Sequence, residues 1–366
     1  MKGNGMRGIV LLLAAALLAG CASTGEIAMV RGGTQHAGDY GDLAGPVKPI
    51  EAAWSRATGE TSYGSPLVTA DRVYYGDGSG TLHALDRASG EVLWRYETGS
   101  TIEATPALAG DRVIVGSWDG VVTAVNARNG NKAWQFRTGG MAYSAPTVTE
   151  KRILVGSADG FLYALERATG KLAWEFRADD GIYSSPSVSD GTVYFGSLDG
   201  NVYAVNAADG EEIWRFGTDK PIFASPAVGG GLVVVGGYNK VVHALDAASG
   251  SERWQFRTGN RVYASAALTA DAAIFASTDG YVYSVARDSG AKNWDFQTGG
   301  KVYSSPSVAG DTVYVGSNDG RLYALARGSG DQRWAHDARA EIYATPTPAD
   351  ERVFFSTVDG TVIALE

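Results

Sequence analysis

From residue 51 to the end of the chain, apolar residues come in short blocks, and no stretch carries a convincing helical period. Residues 181–220 show the pattern once through. Gly181 to Ser189 reads as an extended strand, A, and Asp190-Gly191 as a turn. Thr192 to Gly196 is a second strand, B. Leu198-Asp199-Gly200 then makes a tight hairpin, because Asp-Gly suits the positive φ values of such loops. Asn201 to Asn206 is strand C, Ala208-Asp209-Gly210 turns again, and Glu212 to Thr218 is strand D. Four β-rich blocks divided by turn signals recur along the chain.

The recurrence is strict. Trp54, Trp94, Trp134, Trp174, Trp214, Trp254, Trp294 and Trp334 fall 40 residues apart, and only Trp118 stands outside the series. Four antiparallel strands in about 40 residues is the blade of a β-propeller. A β-solenoid has shorter rungs, and a sandwich would not hold one interval eight times. The expected fold is therefore all-β, an eight-bladed propeller over residues 51–366. The chain opens on a lone D strand around Trp54 and stops after a C strand, Glu341 to Glu366 completing the last A-B-C set. The N-terminal D strand is expected to pair with the C-terminal A-B-C strands and close the ring.

The radial direction follows from side-chain size. Strand A carries small pairs such as Ser184-Ser185 and Ala224-Ser225, with proline at 66, 106, 146, 186, 226, 306 and 346. Proline belongs on an edge, where its missing N–H breaks no ladder. Strand A should line the axial channel, and the tryptophan of strand D should fill the wider outer gap. These eight tryptophans could be stacking platforms for a ligand, but even repetition suits packing better, since each indole buries some 150–250 Å².

The first fifty residues differ. Lys2 and Arg7 precede an apolar run from Ile9 to Ala19, too short to span a bilayer comfortably. It ends in Leu18-Ala19-Gly20-Cys21, which resembles the lipobox of bacterial lipoproteins and holds the sole cysteine. Residues 1–20 thus read as a signal peptide and Cys21 as the lipidation site; residues 21–50 read as a tether. Several acyl chains hold firmly at about 0.8 kcal/mol per buried CH₂. By resemblance to lipoprotein sorting, Ala22 in place of aspartate implies the outer membrane, with the body in the periplasm. The formal charge is −9; without Lys2 and Arg7 the balance is 29 basic against 40 acidic residues, or −11. Such a body repels phosphate backbones, so nucleic acid is not an expected partner.

The unit Ala204 to Trp214, like Ala84 to Trp94 and Ala164 to Trp174, resembles the tryptophan-docking motif of quinoprotein-type (PQQ-like) repeats. The Gly-His dipeptide of WD40 repeats is absent from these units. The whole layout of lipobox, lone Trp strand and eight blades resembles the BamB family of outer-membrane lipoproteins. That resemblance implies a non-enzymatic scaffold in β-barrel protein assembly. Its partners would be a BamA-type barrel subunit or unfolded outer-membrane proteins, and it would contact them through connections between blades. In this chain the connections are short and keep the 40-residue period.

Within this frame the candidate residues sort by asymmetry. Asp119, Asp159, Asp199, Asp279, Asp319 and Asp359 each precede glycine; they could be calcium ligands, but each lies on a different blade and turn chemistry explains them better. His83 and His243 replace tyrosine at a strand-C position, and four scattered histidines make no metal site. Tyr63, Tyr143, Tyr183, Phe223, Tyr263, Tyr303 and Tyr343 begin strand A and either pack between blades or form a ring that grips a peptide or an apolar loop. The B–C hairpin tips vary: Trp118, Ala158, Leu198, Tyr238, Thr278, Asn318, Val358. Exposed Trp, Leu and Tyr call for a cover. The expected partner-binding residues are Trp118, Leu198 and Tyr238 with Asp179, Asp180, Asp219 and Lys220 beside them. A quinone-dependent dehydrogenase is a second reading, set against a single cysteine and no carboxylate cluster; a ligand-sensing or polysaccharide-associated envelope propeller is a third. No cofactor or metal is expected, and a closed ring needs no second copy to cover an edge, so a monomer within a complex is expected.

Overall fold

The computed structural model describes residues 27–28, 30–41, 45–46 and 51–366. Cys21, the signal peptide and part of the tether lie outside the described residues. Among the described residues there are eight sheets, seven of four strands and one of five. Each blade runs antiparallel in the order A-B-C-D, as in Ser187–Ser189, Thr192–Gly196, Asn201–Asn206 and Glu212–Gly217. The B, C and D strands follow the sequence pattern closely. Strand A is shorter than expected, three residues in place of nine in this blade. Its first half leaves the ladder because the Ser185 N–H turns to Ser225 Oγ of the next blade at 2.8 Å, and the sixth blade, with Ala266 where this one has Pro186, breaks off at the same point. Ser184 takes over the pairing there, its hydroxyl accepting from Gly196 N (2.8 Å) and donating to Gly196 O (2.7 Å).

The eighth blade is made from both ends of the chain. Strand Ala52–Ala57 pairs antiparallel with Thr361–Leu365, which continues through Arg352–Ser356 to Thr347–Ala349. The ring is thereby closed as the strand count requires. Inner A strands of neighbouring blades touch around the axis. They are stitched by a belt of hydrogen bonds: the backbone N–H of residues 65, 145, 185, 225, 265 and 345 each donates to a serine or threonine hydroxyl of the next blade, at 2.8–3.0 Å. The small residues of strand A are thus an inter-blade seam as well as a fit to a narrow space.

The hydrophobic core is divided into layers between blades. Leu162, Ala164 and Trp174 of one blade pack on Val193, Phe195, Tyr203 and Val205 of the next. Strands B and C are buried on both faces, whereas strand D alternates buried and exposed. The periodic tryptophans lock each layer. Trp174 Nε1 donates to Ala207 O at 3.2 Å, and the same bond, 33 residues ahead, recurs for Trp54, Trp94, Trp214, Trp254 and Trp294. Trp134 is the exception; its indole nitrogen is buried without a partner. For Trp334 the acceptor is Pro46 O at 3.0 Å, which also accepts from Tyr314 Oη at 3.0 Å.

Pro46 belongs to the stretch expected to be a tether, and most of what is described of that stretch is built into the propeller. Residues 34–41 lie along the inner strands. The N–H groups of Val188, Val228, Leu268 and Val308 donate to the carbonyls of Thr34, Gln35, Ala37 and Gly38 at 2.6–2.9 Å. Ile27–Ala28 adds a fifth strand to the second blade, against Ala107–Ala109. The physical reason is plain: inner strands present unpaired backbone groups to the axis, and an extended segment satisfies them. Nothing in the segment's composition repeats, so this docking was illegible in its pattern.

Candidate functional site

The B–C hairpins and D–A connections share one face, because each hairpin tip donates its backbone N–H back to the connection of its own blade: Trp118 to Thr101 O, Leu198 to Gly181 O, Tyr238 to Pro221 O, at 2.9–3.1 Å. The axial channel opens at this face. Seven aromatic side chains stand round the mouth, Tyr63, Tyr143, Tyr183, Phe223, Tyr263, Tyr303 and Tyr343. Neighbouring ring centroids lie 4.7–5.8 Å apart. The two readings of these residues merge, since they pack on one another and still face the opening; Tyr63 is 41% exposed. The eighth position of the ring is a carboxylate, Glu103, in a cavity of about 220 Å³ lined by the aromatic ring and the hydroxyl belt.

The floor of that cavity is the docked N-terminal segment. Arg31 and His36 line it from below. Both are buried, at 3% and 0% exposure. Arg31 bonds Ala266 O, while its Nε and Nη1 have no partner. Burial lowers its pKa to about 10. His36 touches Thr147 Oγ1 at 3.2 Å. Burial, with a further contribution from the nearby Arg31 charge, lowers its pKa to about 3.

That depression has a pH consequence. Docked, His36 protonates only near 3; released, it titrates near 6.5. Between those values the released segment binds more protons, so docking is fully favoured above about pH 6.5 and weakens as pH falls below it. We expect the protection of the Val188, Val228, Leu268 and Val308 amides against hydrogen exchange to fall by up to tenfold per pH unit below that point, at about 1.4 kcal/mol per unit. His36→Leu should flatten the dependence. Equal protection factors at pH 5 and 7.5 in the native chain would refute it.

The expected partner-binding residues divide into two groups. Trp118 and Tyr238 join the mouth. Trp118, 41% exposed, and Tyr143 both hydrogen-bond Glu103. Tyr238 stacks on Phe223 at 4.8 Å and leans on Tyr263 at 4.9 Å. Leu198 is half-buried at its hairpin tip, while Asp179, Asp180, Asp219 and Lys220 are exposed on the D–A connections. They share the face, but the hydrogen bonds made by the aspartates, such as Asp179 N to Asp199 Oδ2 at 3.1 Å, are local.

Glu103 was missed in the sequence although its signal was available: it is the one acidic residue at a position that is aromatic in the seven other repeats. Arg31 and His36 had no such signal. The turn aspartates behave as turn residues; Asp199 accepts from Asn201 N at 2.8 Å and from Tyr203 Oη at 2.7 Å. In the first blade the aspartate moves to Asp77 and pairs with His83 at 2.7 Å. Burial works against the charged Asp77, but bonds from His83 and Ser79 outweigh it and hold its pKa low. His243 bonds Glu252 at 2.6 Å and Asn239 at 2.9 Å. Both histidines therefore sit hydrogen-bonded at packing positions.

A wider groove of about 700 Å³ lies at the ring-closing seam, but its arginines are already paired, Arg87 with Asp350 at 2.8 Å and Arg352 with Glu366. Among the described residues no three His, Cys, Asp or Glu side chains gather to hold a metal. Glu103 is the carboxylate that lines the cavity, Glu341 stands apart beside Tyr343, and the docked segment fills the space beneath, so these residues do not fit a metal-held quinone. Among the described residues no helix is long and apolar enough to cross a membrane.

Several solved structures share this architecture. BamB from Moraxella catarrhalis superposes with a TM-score of 0.76 at 20% identity, over 87% of this chain and 98% of that one. The computationally designed Ika8 protein gives 0.76 at 19%, over 88% and 99%. The quinohemoprotein alcohol dehydrogenase of Comamonas testosteroni gives 0.76 at 14%, over 92% and 80%. At these identities the likeness is one of fold alone. No protein of curated function matches the sequence significantly. The family model described as outer membrane protein assembly factor BamB matches residues 51–145, 138–215, 198–300 and 278–366. Those segments span every blade, and the chain belongs to the BamB family of PQQ-repeat propellers.

Proposed function

We propose that the chain is a non-enzymatic scaffold of outer-membrane β-barrel protein assembly, anchored by lipid at Cys21 and facing the periplasm. Its binding surface is the channel-mouth face, with Trp118, Leu198 and Tyr238 as anchors and Asp179, Asp180, Asp219 and Lys220 as the charged rim. The partner is the BamA-type barrel subunit or an unfolded barrel protein. One observation carries the reading: a single face gathers seven aromatic rings and an exposed Trp118. Apolar surface of this kind, ringed by charge, marks a protein contact, and buried Trp and Tyr anchors dominate such interfaces.

The test is crosslinking in intact cells, followed by identification of the bound proteins. A barrel-assembly protein should be recovered with the native chain. Trp118→Ala with Tyr238→Ala should weaken that capture at least about tenfold, each anchor being worth about 2 kcal/mol, while the thermal transition persists. Undiminished capture by a folded double variant would remove the face from the proposal, and recovery of envelope proteins unrelated to barrel assembly would replace the role itself.

A further inference from the structure

We propose that the channel mouth is a receptor for a single arginine side chain presented by a partner protein, with Glu103 as its counter-ion and the ring tyrosines as its walls. The inference rests on the reading of this face as a partner surface and names the chemistry that surface selects. Three observations converge on it.

The first is the broken symmetry of the ring. Seven equivalent positions carry aromatic side chains that touch their neighbours, and the chain of contacts is interrupted between Tyr63 and Tyr143, where Glu103 stands. Packing alone would be served by an eighth aromatic residue. The second is an unmet charge. Glu103 accepts hydrogen bonds from Tyr143 and Trp118, yet burial still raises its pKa, and no lysine or arginine of the described residues pairs with it. A half-buried carboxylate in such a place gains from an arriving cation, because the ion pair forms partly shielded from bulk water. Arg31 lies in the floor of the cavity, but burial and Tyr40 are what act on it, not Glu103.

The third observation is an internal precedent. On the opposite side of the ring, four blades away, the Arg261 guanidinium stacks over Tyr238 at 4.6 Å from the ring centroid. The aromatic faces of this mouth thus already accept a guanidinium where the chain supplies one. On the Glu103 side Tyr63 and Trp118, each 41% exposed, stand open, and a carboxylate is present in addition. A planar guanidinium suits both at once, donating in a fork to the carboxylate and lying flat on a ring.

The experiment uses the folded, lipid-free chain from residue 22 and two probes: the peptide Gly-Gly-Arg-Gly-Gly and its citrulline counterpart, which keeps the shape and loses the charge. Binding is read from the fluorescence of Trp118, with Trp118→Phe as the control that assigns the signal. Saturable binding of the arginine peptide, about tenfold tighter than citrulline, is expected. Glu103→Gln should bring arginine down to the citrulline level. Glu103→Tyr completes the aromatic ring as in the sister blades and should do the same, so a folding defect in one variant does not decide the matter. Equal affinity for the two peptides, or native affinity in either variant, overturns the proposal, as does the absence of saturable binding. Crosslinking of the native chain in cells separates the two levels. Peptide selectivity with capture of no barrel-assembly protein leaves the arginine site standing and sinks the scaffold reading.

Discussion

Trp54→Ala should destabilise the protein by about 3–5 kcal/mol, and deletion of residues 51–57 should abolish the cooperative transition. The first figure follows from a buried indole at 8% exposure that packs 6.0 Å from Phe354 and donates to Arg87 O at 2.9 Å. The second follows from topology. Without Ala52–Ala57, the edge of Thr361–Leu365 is left unpaired, and the layer of Val73, Tyr75, Leu85, Phe354 and Val362 loses the residue that spans it. An exposed strand edge flanked by apolar side chains invites self-association. A domain of ordinary stability has about 5–15 kcal/mol to lose, so the shortened chain should unfold or aggregate near room temperature. Chemical denaturation followed by tryptophan fluorescence, with sedimentation to detect aggregates, tests both variants. Trp174→Ala is the comparison, as it occupies the same position within the ring. A deletion variant that melts like the native chain would mean that the seam does not hold the ring.

Gly210→Ala should cost about 2–4 kcal/mol, more than most single methyl additions. Gly210 has φ +80°, where an L side chain is strained, and a Cβ there would come within 2.6 Å of Trp174 Cε3. Gly191 provides the control. Its φ is +76° and a Cβ would meet nothing within 4 Å, so Gly191→Ala isolates the backbone strain at about 1 kcal/mol. The difference between the two is the cost of lifting the indole from the turn it covers. Equal losses would show that the tryptophan yields freely and that docking on glycine adds nothing to the ring. The same contact recurs at Gly90, Gly130, Gly170, Gly250, Gly290 and Gly330, so the period of the tryptophans and the period of the turns are one constraint.

That constraint explains why so much of the fold was legible. A tryptophan every 40 residues with a glycine 36 residues ahead of it is a statement about neighbouring blades, and counting the units gives the ring and its closure. Strand A was overextended because Ser184-Ser185-Pro186 reads as continuous with Ser187–Ser189, whereas the Ser185 N–H is given to Ser225 of the next blade and the ladder ends there, as it does in the blade with Ala266 in place of proline. The docking of residues 34–41 was illegible for a different reason. Its contacts are made by backbone carbonyls, which every residue has, so Thr34, Gln35, Ala37 and Gly38 leave no mark in the pattern. Glu103 lies between these cases. It is conspicuous once the sister positions are aligned, but only the three-dimensional ring shows that it faces aromatic walls without a counter-ion.

The eighth blade also imposes an order of events. Of the strands in the eighth blade, ribosomes make Ala52–Ala57 first and its partner Thr361–Leu365 last. At roughly 5–20 residues per second, the opening strand waits on the order of 15–60 s with its pairing groups unmet. Throughout that interval the nascent chain carries a loose adhesive end. Any factor that shields short β segments during synthesis or passage across a membrane would act on this protein chiefly there, and its absence would show first as chains joined end to end.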